Sequence, residues 1–319
     1  MIENGNLKIF GGTANSALTD SICEFINIPR GDISIKRFMD GEIYVAFEEN
    51  VRGTDCFLIQ STCDPVNSSL MELLVMIDAA KRASASRVTA VLPYYGYGRQ
   101  DRKHRPRVAI TAKLVANLLT TAGADRVLTM DLHAGQIQGF FDIPLDNLYA
   151  SAVIIEEVRN LNLKNLTVVS PDLGSVKRAR ATARFLEAPL AIIDKRRPRE
   201  NEAEVMNIIG DVEGQTVLVV DDMIDTAGTI CQAAKALQNS GAKDVYCSAT
   251  HAVLSGEAIA RLQESPFKKL FVTDTIPLPE NKKIDEIQVV TVGHLLAEAI
   301  DRIHHESTVS SLFLLKEEY

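Results

Sequence analysis

Short apolar runs of β-forming residues alternate with amphipathic helical stretches along almost the whole chain. The runs predicted as strands are residues 8–10, 56–60, 88–92, 127–130, 167–169, 191–193, 217–220 and 245–250. Helical patterns occupy the stretches between them, namely 69–83, 110–122, 151–159, 175–186 and 229–240. Strands and helices that alternate in this way form mainly parallel sheets with helices on both faces. The sequence therefore predicts an α/β fold.

The chain has 319 residues, a length that suits two domains of ordinary size. The pattern of strands and helices indicates two α/β units joined near residues 144–149. We expect one domain over residues 1–146 and a second over 147–319, with the last residues of the chain able to pack on the first domain. Neither a long linker nor a low-complexity segment separates them.

Composition narrows the possible functions and locations. The net charge of -8 argues against a dedicated nucleic-acid binder, because the phosphate backbone selects for basic surfaces. The N-terminus lacks the features of a signal peptide, and no apolar run approaches the roughly 18 residues of a membrane span. Five scattered cysteines without a C-x-x-C pair are typical of free thiols in a reducing compartment. We therefore expect a cytoplasmic protein that binds neither nucleic acid nor a membrane.

Acidic residues stand at the carboxyl ends of three predicted strands. They are Asp131, Asp172 and the pair Asp221–Asp222. Ligands of open α/β sheets bind beyond the carboxyl ends of the strands, where such acids can contact a metal ion or sugar hydroxyls. Each acid alone would be an ordinary turn or cap residue, but the three together predict a binding site.

The strongest motif is residues 217–229, with the sequence V-L-V-V-D-D-M-I-D-T-A-G-T. An apolar strand leads into an acidic pair, then into a loop of small hydroxyl residues, and then into a helix. Backbone N–H groups at such a turn favour a phosphate, and Gly228 lets the backbone approach it closely. The alternative is an ordinary helix cap at Asp225 or Thr226.

This segment resembles the phosphoribosyl-binding loop shared by phosphoribosyltransferases and ribose-phosphate pyrophosphokinases. The resemblance implies that the loop binds the 5-phosphate of ribose 5-phosphate and that the acidic pair binds the ribose. The phosphate-binding residues would be Asp225, Thr226, Ala227, Gly228 and Thr229, and the ribose-binding residues Asp221 and Asp222. It also implies a fold of two phosphoribosyltransferase-like domains, each a mainly parallel sheet flanked by helices.

A basic segment distinguishes between these two families. Residues 94–107 read Y-Y-G-Y-G-R-Q-D-R-K-H-R-P-R and directly follow the predicted strand 88–92. Without further context this is a solvated loop or a nucleic-acid patch. It is similar to the ATP-contacting segment of ribose-phosphate pyrophosphokinases, with Arg99, Gln100 and Asp101 as the contacts. Simple phosphoribosyltransferases have no counterpart to it.

Two further stretches match the same family in order. Residues 38–42, F-M-D-G-E, resemble an adenine-binding element that comes from a neighbouring subunit, with Phe38 stacking on the base and Asp40 and Glu42 contacting its amino edge. Residues 130–133, M-D-L-H, resemble the stretch that contacts ATP and supplies a metal-ligating histidine, here His133.

Two loops of the second half complete the resemblance. Asp172, Leu173, Gly174 and Ser175 occupy the family's pyrophosphate loop, where D-x-G-G or D-x-G-A is usual, and Asp172 is implied as a metal contact with His133. Residues 194–199, D-K-R-R-P-R, resemble the mobile catalytic loop. Its Lys195 and Arg197 match the positions that stabilise the transferring group.

The resemblance implies transfer of the β,γ-pyrophosphoryl group of ATP, with Mg²⁺, to the 1-hydroxyl of ribose 5-phosphate. It also implies homohexamers, activation by inorganic phosphate and inhibition by ADP. The segments that match the regulatory site contain Arg52, Arg107, Thr308, Ser310 and Phe313. Within them Ser310 is the usual residue, whereas Thr308 stands where Ser is usual and Ser311 where Tyr is usual. The alternatives are a phosphoribosyltransferase and a non-catalytic regulatory homologue of the synthetase.

Overall fold

The structure, a computed structural model, describes residues 6–196 and 205–312. It divides into two compact units. The first comprises the described residues up to Tyr149, the short stretch Thr275–Pro277 and the residues from Thr291 onward. The second comprises Ala150–Asp274 and Leu278–Val290. The first unit is therefore built from both ends of the chain.

The first unit contains a five-stranded parallel sheet and an antiparallel hairpin. Its elements up to Tyr149 are β1 (Leu7–Gly11), α1 (Ser16–Ile26), β2 (Ile33–Arg37), β3 (Ile43–Phe47), β4 (Asp55–Ile59), α2 (Val66–Arg82), β5 (Arg87–Leu92), α3 (Thr111–Ala122), β6 (Arg126–Met130) and β7 (Leu145–Leu148). The strand order of the sheet is β1-β4-β5-β6-β7, and β2 pairs with β3 to form the hairpin. All neighbours in the larger sheet are parallel.

The second unit contains a seven-stranded sheet. Its elements are α4 (Ser151–Asn160), β8 (Leu166–Ser170), α5 (Val176–Phe185), β9 (Leu190–Arg196), β10 (Val205–Ile209), β11 (Thr216–Ile224), α6 (Gly228–Asn239), β12 (Asp244–Ala252), α7 (Ala258–Gln263), β13 (Phe267–Thr273) and β14 (Ile287–Val290). The order is β10-β9-β8-β11-β12-β13-β14, with only β10 antiparallel to its neighbour. The predicted α/β class with parallel sheets is confirmed.

The apolar pattern of the sequence explains these elements. All five residues of β4 are buried, as parallel strands covered on both faces require. On α3 the buried residues are Ala112, Val115, Ala116 and Leu119, a spacing of three and four that forms one helical face. Continuous apolar runs therefore give strands buried on both faces, and a spacing of three and four gives helices buried on one face.

The last helix, α8 (Gly293–His304), belongs to the first unit. The buried carboxylate of Asp55, on β4, accepts a hydrogen bond of 2.8 Å from Arg87 Nε and lies 2.8 Å from His304 Nδ1. Arg87 also donates to the carbonyl of Ile303 at 3.0 Å. Because these side chains are almost enclosed, this polar network fixes the end of α8 against the first sheet.

Residues 144–149 were expected only to join two units, but they contain β7. Leu148 is fully buried, and β7 pairs in parallel with β6, so this stretch completes the sheet before the chain leaves it. None of the helices in residues 6–196 and 205–312 is both long and apolar enough to cross a membrane.

Candidate active site

The acidic pair lies inside β11 and not after it. The strand pairs with β8 only as far as Val219 with Val169, but its pairing with β12 continues to Ile224 with Ala252. The predicted strand 217–220, with the acids at its end, is therefore too short, because β12 extends the ladder on one side. Relative to β8 the pair still lies beyond the carboxyl end of the neighbouring strand, where ligands of such sheets bind.

Asp221 is a partly buried acid whose neighbours shift its pKa strongly. Its Oδ1 accepts hydrogen bonds from Ser175 Oγ at 2.8 Å and from the Asp222 N–H at 2.9 Å. Burial and the neighbouring charge of Asp222 raise the pKa of Asp221 to about 7. Two adjacent carboxyl groups therefore share this edge of the sheet, and one of them gains or loses its proton near neutral pH.

Residues 172–175 connect the end of β8 to α5. Asp172 Oδ1 accepts a hydrogen bond of 2.9 Å from the Ser175 N–H, and its carbonyl accepts one of 2.7 Å from Ser170 Oγ. Leu173 is 67% exposed, and a Cβ on Gly174 would lie 3.3 Å from Asp172 Oδ1. The Ser175 hydroxyl reaches Asp221, so this loop and the acidic pair form one connected site.

Residues 254–261 hold the loop after β11 through three hydrogen bonds. The N–H groups of Leu254 and Ser255 donate to the carbonyls of Ile224 at 2.9 Å and Asp225 at 3.0 Å. Arg261 Nη1 on α7 donates to the carbonyl of Thr226 at 2.9 Å. Three consecutive carbonyls thus point toward residues 254–261. In trans peptides the N–H lies opposite the carbonyl, so the next three N–H groups point the other way.

The start of α6 adds further donors on this loop. Ala227 precedes the helix with a left-handed φ of 60°, a strained conformation for a residue with a side chain. The alternative of a helix cap at Asp225 or Thr226 is wrong, because the cap residue is Ala227 and its methyl group cannot accept a hydrogen bond. The first N–H groups of a helix have no intrahelical partner, so they attract anions.

The side chains predicted for the phosphate site surround this turn. Thr226 and Thr229 are exposed, and Asp225 is partly exposed. A Cβ on Gly228 would lie no closer than 3.8 Å to the protein, from Arg261 Nη1, and 3.9 Å from Thr226 Oγ1. The protein itself therefore leaves room for a side chain at position 228.

In the first unit, several of the predicted ATP-binding residues follow the carboxyl ends of β5 and β6, at one edge of the sheet. The backbone turns sharply there, with left-handed φ values at Tyr97 (65°) and at the buried Asp131 (43°). A Cβ on Gly98 would lie 3.8 Å from the Cβ of His133, so the Arg99 segment and His133 are neighbours. Arg99 and His133 are both exposed.

Two neighbours orient the residues that follow Arg99. Thr111 Oγ1, at the start of α3, donates to Gln100 Oε1 at 2.5 Å. Gln136 Nε2 donates to Asp101 Oδ2 at 2.7 Å. Residues 102–107 are exposed, and Arg107 has a left-handed φ of 63°. The structure therefore places Arg99, Gln100, Asp101 and His133 along one edge.

The tip of the β2–β3 hairpin carries the predicted adenine-binding residues. The Phe38 N–H donates to the Glu42 carbonyl at 2.9 Å, and Asp40 Oδ1 accepts from the Glu42 N–H at 3.1 Å. Phe38 is 55% exposed, and Met39 is fully exposed. The ring of Phe38 lies edge-on to Tyr44 at 6.0 Å. An aromatic face is thus presented to solvent at a tight turn.

The predicted catalytic and regulatory residues are described only in part. The backbone of Lys195 pairs with Met206 in the β9–β10 ladder, and Arg197 and Phe313 lie outside the described residues. Arg52 Nη1 donates to Ser84 Oγ at 3.1 Å. Thr308 Oγ1 accepts from the Ser310 N–H at 3.2 Å.

Over residues 6–196 and 205–312, no three His, Cys, Asp or Glu side chains form a group that could hold a metal ion. A metal held entirely by protein ligands is therefore not indicated there. Mg²⁺ ordinarily keeps several waters and binds through one or two carboxylates together with substrate phosphates. A single carboxylate such as that of Asp172 fits this mode of binding.

Three supporting residues were missed by the sequence analysis. Arg261 donates a hydrogen bond to the loop after β11, whereas Thr111 and Gln136 orient Gln100 and Asp101. Each lies between 11 and 35 residues away in the chain from the residue it contacts. None stands in a motif, so only the folded arrangement identifies them.

Family models match both halves of the chain. Residues 7–123 match the model described as the N-terminal domain of ribose phosphate pyrophosphokinase. Residues 195–314 match the model described as a phosphoribosyl synthetase-associated domain. Together these matches cover most of both units.

Curated and solved relatives are similar over nearly the full length. The chain is 57% identical to the ribose-phosphate pyrophosphokinase of Synechococcus elongatus, over 98% of this chain and 95% of that one. It is 56% identical to the enzyme of the same name from Bacillus subtilis, over 97% of both chains. The crystal structure of phosphoribosylpyrophosphate synthetase from Mycobacterium smegmatis superimposes with a TM-score of 0.90, at 44% identity, covering 95% of this chain and all of that one.

Proposed function

The chain belongs to the ribose-phosphate pyrophosphokinase family, and from this premise we propose that it transfers the β,γ-pyrophosphoryl group of ATP to the 1-hydroxyl of ribose 5-phosphate. The products are 5-phosphoribosyl 1-pyrophosphate and AMP. The enzyme is a transferase that supplies nucleotide biosynthesis. Its substrates are accordingly ATP and ribose 5-phosphate.

The observation that carries this function is the turn after β11. Its three carbonyls are bonded by residues 254–261, and its N–H groups face the other way, beside the start of α6. Such a turn binds a phosphate monoester. The carboxylates of Asp221 and Asp222 are suited to accept hydrogen bonds from the vicinal hydroxyls of a ribose. The 5-phosphate and the sugar are thereby held on adjacent parts of one strand and loop.

ATP is assigned to residues of the first unit. Arg99 and His133 offer positive or hydrogen-bonding groups to the phosphates, and Gln100 and Asp101 are oriented by Thr111 and Gln136. The exposed Phe38 offers a stacking face for adenine, with Asp40 and Glu42 beside it. We assign this hairpin to the ATP site of a neighbouring subunit, as the family resemblance implies.

Pyrophosphoryl transfer depends on alignment and on positive charge where negative charge develops. Lys195 and Arg197 are assigned to stabilise the transferring group, and residues 172–175 to bind the pyrophosphate. When bound, Mg²⁺ neutralises charge on the phosphates. Asp172 offers it a carboxylate, and His133 is assigned to contact its hydration shell or the ATP phosphates, since Mg²⁺ prefers oxygen ligands.

The direct test is product analysis with ATP labelled in the β-phosphate. We expect the label to leave ATP and appear in the phosphoribosyl product, with AMP formed in equal amount only when ribose 5-phosphate is present. A phosphoribosyltransferase would form no AMP from these two compounds, and a non-catalytic homologue would leave both unchanged. Label retained in ADP or released as free pyrophosphate would contradict transfer at the β-phosphorus.

Gly228→Ala tests whether a ligand approaches the turn closely. The added methyl meets no protein atom within 3.8 Å, and alanine is favoured over glycine in a helix, so we expect an unchanged or slightly higher melting temperature. A phosphate packed on the same backbone would be displaced. We expect KM for ribose 5-phosphate to rise by about tenfold, or ~1.4 kcal/mol, with KM for ATP unchanged. Unaltered sugar-phosphate binding in calorimetry would contradict the assignment.

The remaining expectations concern assembly, regulation and location. We propose a homohexamer, activated by inorganic phosphate and inhibited by ADP through Arg52, Arg107, Thr308, Ser310 and Phe313. Arg302 donates to the Thr308 carbonyl at 3.0 Å, which holds the start of this tail on α8. All five cysteines are buried thiols outside disulfide bonds, in keeping with a reducing cytoplasm.

A further inference from the structure

One side chain outside every motif reaches the phosphate loop. Arg261 lies on the short helix α7, and its Nη1 donates a 2.9 Å hydrogen bond to the carbonyl of Thr226. Its Nη2 pairs with Glu257 at 3.1 Å, one helical turn earlier. The Arg261 side chain is 42% exposed, whereas Glu257 is 79% exposed. The arginine is thus anchored on α7 and extended toward the turn.

Backbone N–H groups donate to two of the three carbonyls of the turn, and a side chain donates to the third. Leu254 and Ser255 use their N–H groups for Ile224 and Asp225, so any residue at those positions other than proline could supply these bonds. The Thr226 carbonyl instead depends on the identity of the side chain at position 261. It belongs to the peptide unit that carries the Ala227 N–H, and Ala227 is the residue with the strained left-handed φ of 60°.

Resting on the proposed function, we infer that Arg261 is a positioning residue for ribose 5-phosphate binding. Its hydrogen bond fixes the orientation of the Thr226–Ala227 peptide and so keeps the Ala227 N–H directed to the side where the 5-phosphate binds. A peptide unit without this bond could rotate and turn its carbonyl oxygen toward the phosphate. Because the bond lies away from the reacting atoms, it affects binding of the sugar phosphate and not the transfer step.

A small cavity beside the loop supplies a matched control. It has a volume of about 400 Å³ between α6 and α7 and is lined by Gly228, Cys231, Gln232, Lys235, Arg261 and Glu264. Lys235 therefore places a second cation in the same cavity, and no described hydrogen bond joins it to Thr226. Lys235→Met removes the same charge as Arg261→Met. Glu257→Gln removes the negative charge that pairs with the arginine and leaves the arginine's donors in place.

The test measures binding and turnover separately. For Arg261→Met we expect KM and the calorimetric Kd for ribose 5-phosphate to rise about tenfold, with kcat altered less than threefold and KM for ATP unchanged. Arg261→Gln, which is too short to reach the carbonyl, should behave alike, and Arg261→Lys should recover part of the loss. Lys235→Met and Glu257→Gln should match the parent protein.

Several outcomes would overturn the inference. A folded Arg261→Met or Arg261→Gln variant with the parental Kd would do so, as would an equal loss in Lys235→Met, which would make net charge the cause. Unfolding of both arginine variants would make Arg261 a structural residue. If the parent protein bound ribose 5-phosphate but formed no AMP, the proposed function would fail, while the Kd comparison would still decide the role of Arg261.

Discussion

Lys195→Ala is expected to lower kcat by about 10²–10³-fold, because a contact made mainly in the transition state contributes about 2.7–4 kcal/mol. The lysine stands where the family resemblance places the catalytic loop, at the point where β9 approaches its end. Charge that develops on the transferring group would lose one of the two cations assigned to it. We expect KM for ATP and for ribose 5-phosphate to change less than threefold, since ground-state binding relies on other residues.

Arg196→Ala is the matched control, since it removes the adjacent cation of the same strand and has no assigned role. Steady-state AMP formation should separate the two variants clearly. A Lys195→Ala variant with unchanged kcat would remove the catalytic assignment. A rise in KM alone, with kcat preserved, would make Lys195 a substrate-binding residue.

Asp221→Asn is expected to stabilise the protein at pH 8 while weakening ribose 5-phosphate binding at least tenfold. Asparagine can still accept the hydrogen bonds from Ser175 and Asp222 through its Oδ1, and its amide can donate to the Asp222 carboxylate. The substitution therefore removes the charge repulsion and retains the geometry. What it loses is one anionic acceptor for the sugar hydroxyls.

The sign of the pH dependence follows from the raised pKa. With its pKa near 7, Asp221 keeps its proton in the folded state at pH values where the unfolded chain has released it. Its contribution to stability is therefore complete below pH ~4 and is lost as the pH rises to 7 and above. The stabilisation by Asp221→Asn should be about 1–3 kcal/mol at pH 8 and small at pH 4.

Urea unfolding of the ligand-free protein at the two pH values measures this difference. Asp285→Asn, at an exposed acid of the same unit, should show no such dependence on pH. Equal stability of Asp221→Asn and the parent protein at pH 8 would mean that the two carboxyl groups do not repel each other in the folded state. Tight ribose 5-phosphate binding by the variant would contradict the role of Asp221.

The parallel sheets could be predicted from the sequence because their strands are continuous apolar runs. β4 and β5 are examples, since nearly all of their residues are buried. The β2–β3 hairpin was not predicted as a pair of strands, because its residues alternate only weakly and none of β2 or β3 is fully buried. β10 was not predicted either, because it lies at an edge of its sheet, where burial imposes little pattern of apolar residues.

The candidate site could be predicted in part. The phosphate loop and its acids stand in one contiguous motif, and the structure places Asp221, Asp222 and residues 225–229 together. The length of β11 could not be predicted, because the pairing of Met223 and Ile224 depends on β12, which lies farther along the chain. The link from Ser175 to Asp221 spans 46 residues and needs the adjacency of β8 and β11.

The attachment of α8 to β4 has a consequence for any attempt to divide this enzyme. The side chains of Leu296, Ile300 and Ile303 are buried and belong to the first unit. Most of that unit lies at or before Tyr149 in the chain. The second unit is thus an insertion within the first, bracketed by it in the chain. A protein cut after Tyr149 would lack these buried side chains, so α8 must be synthesised before the packing of the first unit can be completed.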